Sequence, residues 1–357
     1  MPSARPTRQA SRWEVPSIPA VRPLNALASA PVAFPVETRP MLLVVVDTEE
    51  EFDWDAPFSR SATQVTAIRE VARLQRVTRR YGVKPTYVID YPIATSVMAI
   101  DALGLFAHAG ECSIGAHLHP WVTPPFEEAV SGPNSFACNL HARLERRKIQ
   151  VLYDAIARNF AIACRSYKAG RYGFANSTAE TLEALGFDVD LSINPRMDFS
   201  ASGGPSFAAY DARPFTFGRR RTLLEIPCTT AFIGLARAAG AGLHDMASSD
   251  IGRRLHVPGV LARLGILNKV MLSPEGFTLA EMQALARQLY DDGVRTFSLT
   301  LHSPSLAPGH TPYVRTAADV DRLLDTIDRF MAFFFETLGG VAATPAGLYD
   351  LACREAP

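Results

Sequence analysis

Two histidines stand two residues apart in the stretch "GAHLHPW", His117 and His119, at the end of an apolar run and just before a proline. A similar spacing occurs earlier, in "VVVDTEEEFDW", where Asp47 and Glu49 are separated by one residue. In an extended chain, residues at i and i+2 project to the same side. Two carboxylates and two imidazoles make a donor set suited to Zn²⁺ or another borderline divalent ion, held by two histidines and a carboxylate with positions left open for water and substrate. The second carboxylate is then free to act as a general base. His302, in "TLTLHSPS", offers the proton that a leaving group needs and a metal cannot give.

These groups can act together only if the fold gathers them, so the elements around them matter. The segment 41–47, "MLLVVVD", is a continuous apolar run of the kind buried on both faces of a parallel sheet. Val65, Ile68, Val71, Ala72 and Leu74 then recur at helical spacing, and Gly82 closes that segment. Strand-like runs follow at 84–90, 112–117, 166–170, 188–193, 222–227 and 295–302, most of them followed by helical patterns. The long helices are expected over 139–163, after a cap at Asn176 or Ser177, over "TLAEMQALARQLYDDG", and over 317–338. Seven such strands alternating with helices point to an α/β barrel or a doubly wound sheet. Asp47, His117, Lys168 with Arg171, Asp190 and His302 fall at strand C-terminal ends, the edge where parallel barrels build active sites.

The totals agree with one large domain. The chain has 357 residues and 48% hydrophobic content, enough for a sizeable core. Lysine and arginine together number 36, as do aspartate and glutamate, so no global charge points to nucleic acid or to an anionic membrane surface. The run Arg219, Arg220 and Arg221 reads as a solvated turn, and the run Glu49, Glu50 and Glu51 would ordinarily be solvated too. Five cysteines without C-x-x-C spacing argue for free thiols rather than a disulfide framework or zinc knuckle. No apolar run reaches the ~18 residues of a membrane span. Residues 1–38, rich in proline, alanine, serine and arginine, read as a disordered or loosely packed extension without a secretory signal, so the expected location is cytoplasmic. The domain is expected over 39–350, with a helical insertion near 231–270 that either walls the site or forms a homodimer face.

"VVVDTEEEFDW", "IGAHLHPW", "SYKAGRYG" and "TLHSPSLAPGHTPYVR" together resemble the polysaccharide deacetylase superfamily, also called NodB-homology or carbohydrate esterase family 4, and within it a WalW-like branch associated with bacterial cell-surface polysaccharide synthesis. The resemblance spans about residues 41–345. It implies an irregular (β/α)₇ barrel of the glycoside hydrolase/deacetylase type. It also implies metal-dependent removal of acetyl groups from N-acetylated sugars. On that pattern Asp47 is the base and Glu49 the metal ligand, or the two exchange roles. His117 and His119 complete the ligands, His302 is the general acid, and Arg171 orients the catalytic carboxylate. Three departures stand out. Thr48 occupies the place of a second acid, the histidines are closer together than the family spacing, and Lys168 stands at the more usual arginine position. Asp190 corresponds loosely to a fourth motif. Trp54, Trp121, Tyr172 and Tyr313, with Lys168, are expected to line the substrate, and a backbone N–H at Tyr172 or Gly173 to hold an oxyanion. An amidohydrolase acting on small or cyclic amides and a catalytically inactive glycan-binding barrel are the competing readings.

Overall fold

In the computed structural model, residues 30–354 are described, except 220–222, 250, 251, 253 and 255. Most of the N-terminal extension, Arg220 and Arg221 therefore lie outside the described residues. The first described strand, β1 (Ala30–Pro31), pairs antiparallel with β7 (Phe215–Phe217).

The apolar run at 41–47 becomes β2 (Met41–Thr48), buried along its whole length. It is flanked on both sides by parallel neighbours, which is why the run is continuous rather than alternating. The parallel set is completed by β3 (Thr86–Ile89), β4 (Ser113–Leu118), β5 (Ser166–Ala169), β6 (Val189–Asp190), β8 (Leu223–Glu225) and β11 (Thr296–His302). Their order is β8-β6-β5-β4-β3-β2-β11, seven parallel strands among the described residues, curled with an opening between β8 and β11. This is the irregular (β/α)₇ barrel. A two-residue strand, β12 (Val341–Ala342), adds to the start of β2.

Helices α1 (Val71–Arg79), α2 (Tyr91–Thr95), α3 (Val97–His108), α4 (Ala142–Phe160), α5 (Asn176–Leu185), α8 (Leu279–Asp291) and α9 (Ala317–Ala332) connect the barrel strands, and α10 (Pro345–Arg354) closes the described chain. The helical pattern from Val65 starts as a 3₁₀ turn and becomes α-helix only at Val71. Thr278 and Thr316 begin α8 and α9 with reciprocal capping boxes to Glu281 and Asp319, satisfying the first orphan N–H groups. Helix α9 ends six residues before the expected 338, where the chain passes into a π-turn at Phe333–Thr337.

The insertion differs from its expected helical form. It carries a two-stranded antiparallel ribbon, β9 (Thr230–Ile233) with β10 (Asn268–Met271), around helices α6 (Gly240–Ala247) and α7 (Val257–Arg263). The ribbon reaches into the barrel's opening, because Thr300 N–H of β11 donates to Leu272 O just past β10 (3.0 Å). Edge groups that an eighth strand would satisfy are met there by the insertion.

Asp190 is fully buried, but it shares a face with Tyr167, on the helix side of the sheet, and its neighbour in register on β8 is Glu225. Burial raises both carboxyls, Asp190 to about 6 and Glu225 well above its ordinary value, so the pair retains a proton at neutral pH. A raised folded-state pKa stabilises fully below the unfolded carboxyl range of about 4, and that stability is lost as pH rises through the folded values. Glu225→Gln removes the titrating partner without changing volume. Thermal unfolding followed from pH 5 to pH 9 should show a shallower alkaline decline for this variant than for the wild type.

Candidate active site

Strand register gathers the polar groups. His302 of β11 is the direct neighbour of Asp47 on β2, and His117 of β4 is the neighbour of Lys168 on β5. In-register neighbours share a face of the sheet, so all four side chains point toward the same barrel mouth. Glu49, two residues beyond Asp47, keeps that side. Thr48, between them, has the opposite parity and donates its hydroxyl to Val46 O (2.9 Å). The acid missing from position 48 would therefore have faced away, and Glu49 presents its carboxylate in the mouth.

Glu49 Oε2 lies 3.5 Å from His117 Nε2 and 3.4 Å from His119 Nε2. A one-residue separation thus brings both imidazoles to one point. His117 projects from β4 itself, and His119 follows the strand's last residue with the same parity. The close approach depends on Gly170, where a Cβ would collide with the His119 ring and with Leu118 O. The far nitrogens fix the tautomers. His117 Nδ1 faces Lys168 O at 3.0 Å, and a carbonyl can only accept, so that nitrogen carries the hydrogen. His119 Nδ1 faces Glu50 Oε2 at 2.8 Å. Burial lowers the His119 pKa, which keeps the ring neutral and its Nε2 bare.

Glu50 and Asp90 were not singled out by sequence reading, yet both are fully buried behind the histidines. Glu50 accepts from His119 and from Trp121 Nε1 (2.7 Å), and its backbone N–H donates to Asp90 Oδ2 (2.8 Å). Asp90 Oδ1 also caps α2 through Ile93 N–H (2.8 Å). Burial pushes Glu50 up to about 8 and Asp90 well above its usual range. Glu51 has a separate task, receiving Thr66 Oγ1 (2.8 Å) and Ala67 N–H at the start of the 3₁₀ turn. None of the three glutamates is the solvated run that their sequence suggested.

Asp47 is held by Lys168, whose Nζ donates to both carboxylate oxygens at 2.7 Å. Burial raises the Asp47 carboxyl, but Lys168 and the nearby imidazoles of His117 and His302 outweigh it and hold the group below its ordinary value. Burial likewise depresses the Lys168 ammonium, and Asp47 more than restores it. The expectation that Arg171 orients this carboxylate is corrected. Arg171 lies three residues past Lys168, with the wrong parity and a left-handed backbone (φ 53°). Its guanidinium binds Ser135 Oγ and Gly132 O between the rings of Phe136 and Phe58, and no described contact joins it to Asp47.

His302 Nε2 stands 3.8 Å from Asp47 Oδ2, while its Nδ1 lies 2.7 Å from Glu275 Oε2. Burial disfavours the imidazolium, but Glu275, then Glu49 and Asp47, raise its pKa to about 10. Glu275 escaped sequence reading because it belongs to an irregular stretch after β10, without periodicity to mark it. Ser305 Oγ also donates to it (2.5 Å).

Of the expected substrate-lining residues, Trp54 meets His302 edge-on (5.2 Å) and Tyr313 edge-on (5.9 Å), and with Tyr172 they line the cavity. Trp121 does not. It is 2% exposed and stacked behind His119 at 4.2 Å, with its N–H committed to Glu50, so it buttresses the imidazole instead. Asp190 is absent from the cavity lining as well. Gly173 N–H donates to Gly170 O (3.0 Å), which leaves Tyr172 as the remaining oxyanion candidate.

The fold has a match among solved structures. A Mycobacterium smegmatis protein provisionally named a polysaccharide deacetylase superimposes with a TM-score of 0.52 at 15% identity, covering 91% of this chain and 93% of that one. The fold is that of a polysaccharide deacetylase. Looser likenesses within the deacetylase fold include the Bacillus subtilis peptidoglycan deacetylase PdaC, with a TM-score of 0.41, 8% identity, and coverage of 90% of this chain and 95% of that one. A carbohydrate esterase family 4 pseudoenzyme from Bacillus anthracis gives 0.43 and 8%, covering 87% and 66%. No family model matches the sequence, and no curated protein does. Among the described residues no helix is long and apolar enough to cross a membrane.

The Asp47–Lys168 pair is buried, so removing one member strands the other charge. Lys168→Met should cost about 3–5 kcal/mol of unfolding free energy. The double variant Asp47→Asn/Lys168→Met should recover a large part of that loss, and chemical denaturation of the two singles and the double measures the coupling.

Proposed function

We propose that this chain belongs to the polysaccharide deacetylase superfamily and hydrolyses acetyl groups from N-acetylated sugars of a bacterial cell-surface polysaccharide or its precursor, with a divalent cation, Zn²⁺ by preference, as cofactor. The observation that carries the proposal is the convergence of three potential ligand atoms: Glu49 Oε2 lies within 3.5 Å of both His117 Nε2 and His119 Nε2, and all three lie within 4.8 Å of one another in a buried pocket. Each of the three can offer a lone pair to one cation placed between them. Glu49 Oε1, moreover, is buried with no hydrogen-bond partner. Two imidazoles and a carboxylate are a donor set that fits Zn²⁺ with room for further ligands.

Bound there, such a cation would polarise the acyl carbonyl and lower the pKa of a water beside it. The remaining steps use the chain's own groups. Asp47, kept ionised by Lys168, accepts a proton as the water oxygen bonds to the acetyl carbon. In this reading the Tyr172 N–H donates to the oxygen that gains charge. As the C–N bond breaks, His302 passes its Nε2 proton to the sugar nitrogen, and acetate and the free amine leave. Glu275 positions His302 and holds it protonated, so that base and acid face each other with opposite protonation states at neutral pH.

Chelation should abolish acetate release from N-acetylglucosamine oligomers, and added Zn²⁺ should restore it; full activity in metal-free protein overturns the proposal. His302→Gln should lower kcat by about 10²- to 10⁴-fold. Glu275→Gln removes the charge that raises His302, so the alkaline limb of the kcat–pH profile should move to lower pH, with a smaller loss at the optimum.

A further inference from the structure

The catalytic groups occupy one corner of a cavity of about 490 Å³. Its other walls are apolar. Met197 and Phe199 come from the excursion after β6, Met271 from the ribbon strand β10, Phe277 from the irregular stretch after it, and Phe52 and Phe58 from the loop after β2. All six are half-buried, so apolar surface is left facing the cavity. Apolar side chains exposed singly need no explanation, but a set converging on one pocket marks what that pocket takes.

The polar groups in these walls are largely engaged with one another. Asn194 Oδ1 accepts from Thr230 Oγ1 (2.8 Å), Arg171 is committed to Ser135 and Gly132, and Lys269 Nζ reaches Arg196 O (3.4 Å). An internal residue of a glycan brings several hydroxyls with every ring, and each one stripped of water without a partner weakens binding. A single acetamido sugar can use the catalytic corner. The rest of the cup suits a body without hydroxyls.

We infer that the substrate is a small acetamido sugar bearing an aryl or alkyl substituent on its leaving side, with that substituent held in the aromatic cup, rather than an internal residue of a polymer. The inference rests on the acyl-hydrolysis reading of the corner but is separable from it, because binding can be measured without turnover.

Calorimetry on the full chain with Zn²⁺ compares N-acetylglucosamine, its phenyl and octyl β-glycosides and the chitin tetrasaccharide, with acetate release followed in parallel. At least one apolar glycoside should bind about 10- to 100-fold tighter than the free sugar, and the tetrasaccharide no tighter than the free sugar. A phenyl preference identifies an aryl body and an octyl preference an alkyl one. Phe199→Ser and Phe277→Ser, on separate excursions, should each reduce the advantage. Equal affinity for free sugar and glycosides, tighter binding of the tetrasaccharide, or no binding at all overturns the inference; the wild-type comparison decides this even if a variant fails to fold. Tight binding of the apolar glycosides without acetate release overturns the hydrolase reading alone.

Discussion

The structure is organised by one constraint: carboxylates buried at a barrel mouth must each be matched. Asp47, Glu49, Glu50, Asp90 and Glu275 are all no more than 5% exposed, and removal from water disfavours every one of their ionised forms. Each finds a different remedy. Asp47 takes an ammonium, and Glu275 takes an imidazolium. Asp90 accepts the N–H groups of Glu50 and Ile93, and Glu50 accepts from the His119 and Trp121 rings. Glu49 alone faces two imidazole nitrogens, with one oxygen lacking any partner. In an otherwise satisfied network, that single exception is the place where a ligand is called for.

Parity and register do the positioning. Because β2 pairs residue by residue with β11, an acid at 47 meets a histidine at 302 without help from loops. Because β4 pairs with β5, His117 and Lys168 emerge side by side, and Lys168 then reaches across to Asp47. Moving either strand by one residue would turn these groups to the other face of the sheet. A site built on strand ends is therefore as rigid as the sheet hydrogen bonds that hold it. By contrast, the apolar wall comes from excursions and the ribbon, the parts of the chain that tolerate change. Chemistry and specificity have separate structural origins.

This division also decides what was legible in the sequence. The continuous apolar run before Asp47 and the polar residues ending successive strands are short-range signals, and they led to the barrel and to the Asp47, Glu49, His117, His119 and His302 cluster. Lys168 could have been assigned to Asp47 by parity alone, since 168 shares a side with 170 and not with 171. Glu50, Asp90 and Glu275 could not be read in that way. Their importance lies in contacts of 69, 40 and 27 residues' separation, which no local pattern encodes. The ribbon within the insertion was hidden for the same reason, because β9 and β10 pair across more than thirty intervening residues.

The shortened histidine spacing illustrates how such long-range support changes the meaning of a motif. With one residue between them, both rings must leave the chain on the same side, so their approach to a common point is fixed by the backbone and their orientation by what lies behind. His117 is oriented by a carbonyl of β5, and His119 by Glu50 with Trp121 stacked against it. Gly170 supplies the room. The compact pair thus relies on a buried layer behind it to aim both Nε2 atoms at Glu49. Isolated in sequence, His-Leu-His has little meaning; backed by Glu50, Asp90, Trp121 and Gly170, it becomes a fixed pair of imidazoles whose Nε2 atoms both approach Glu49.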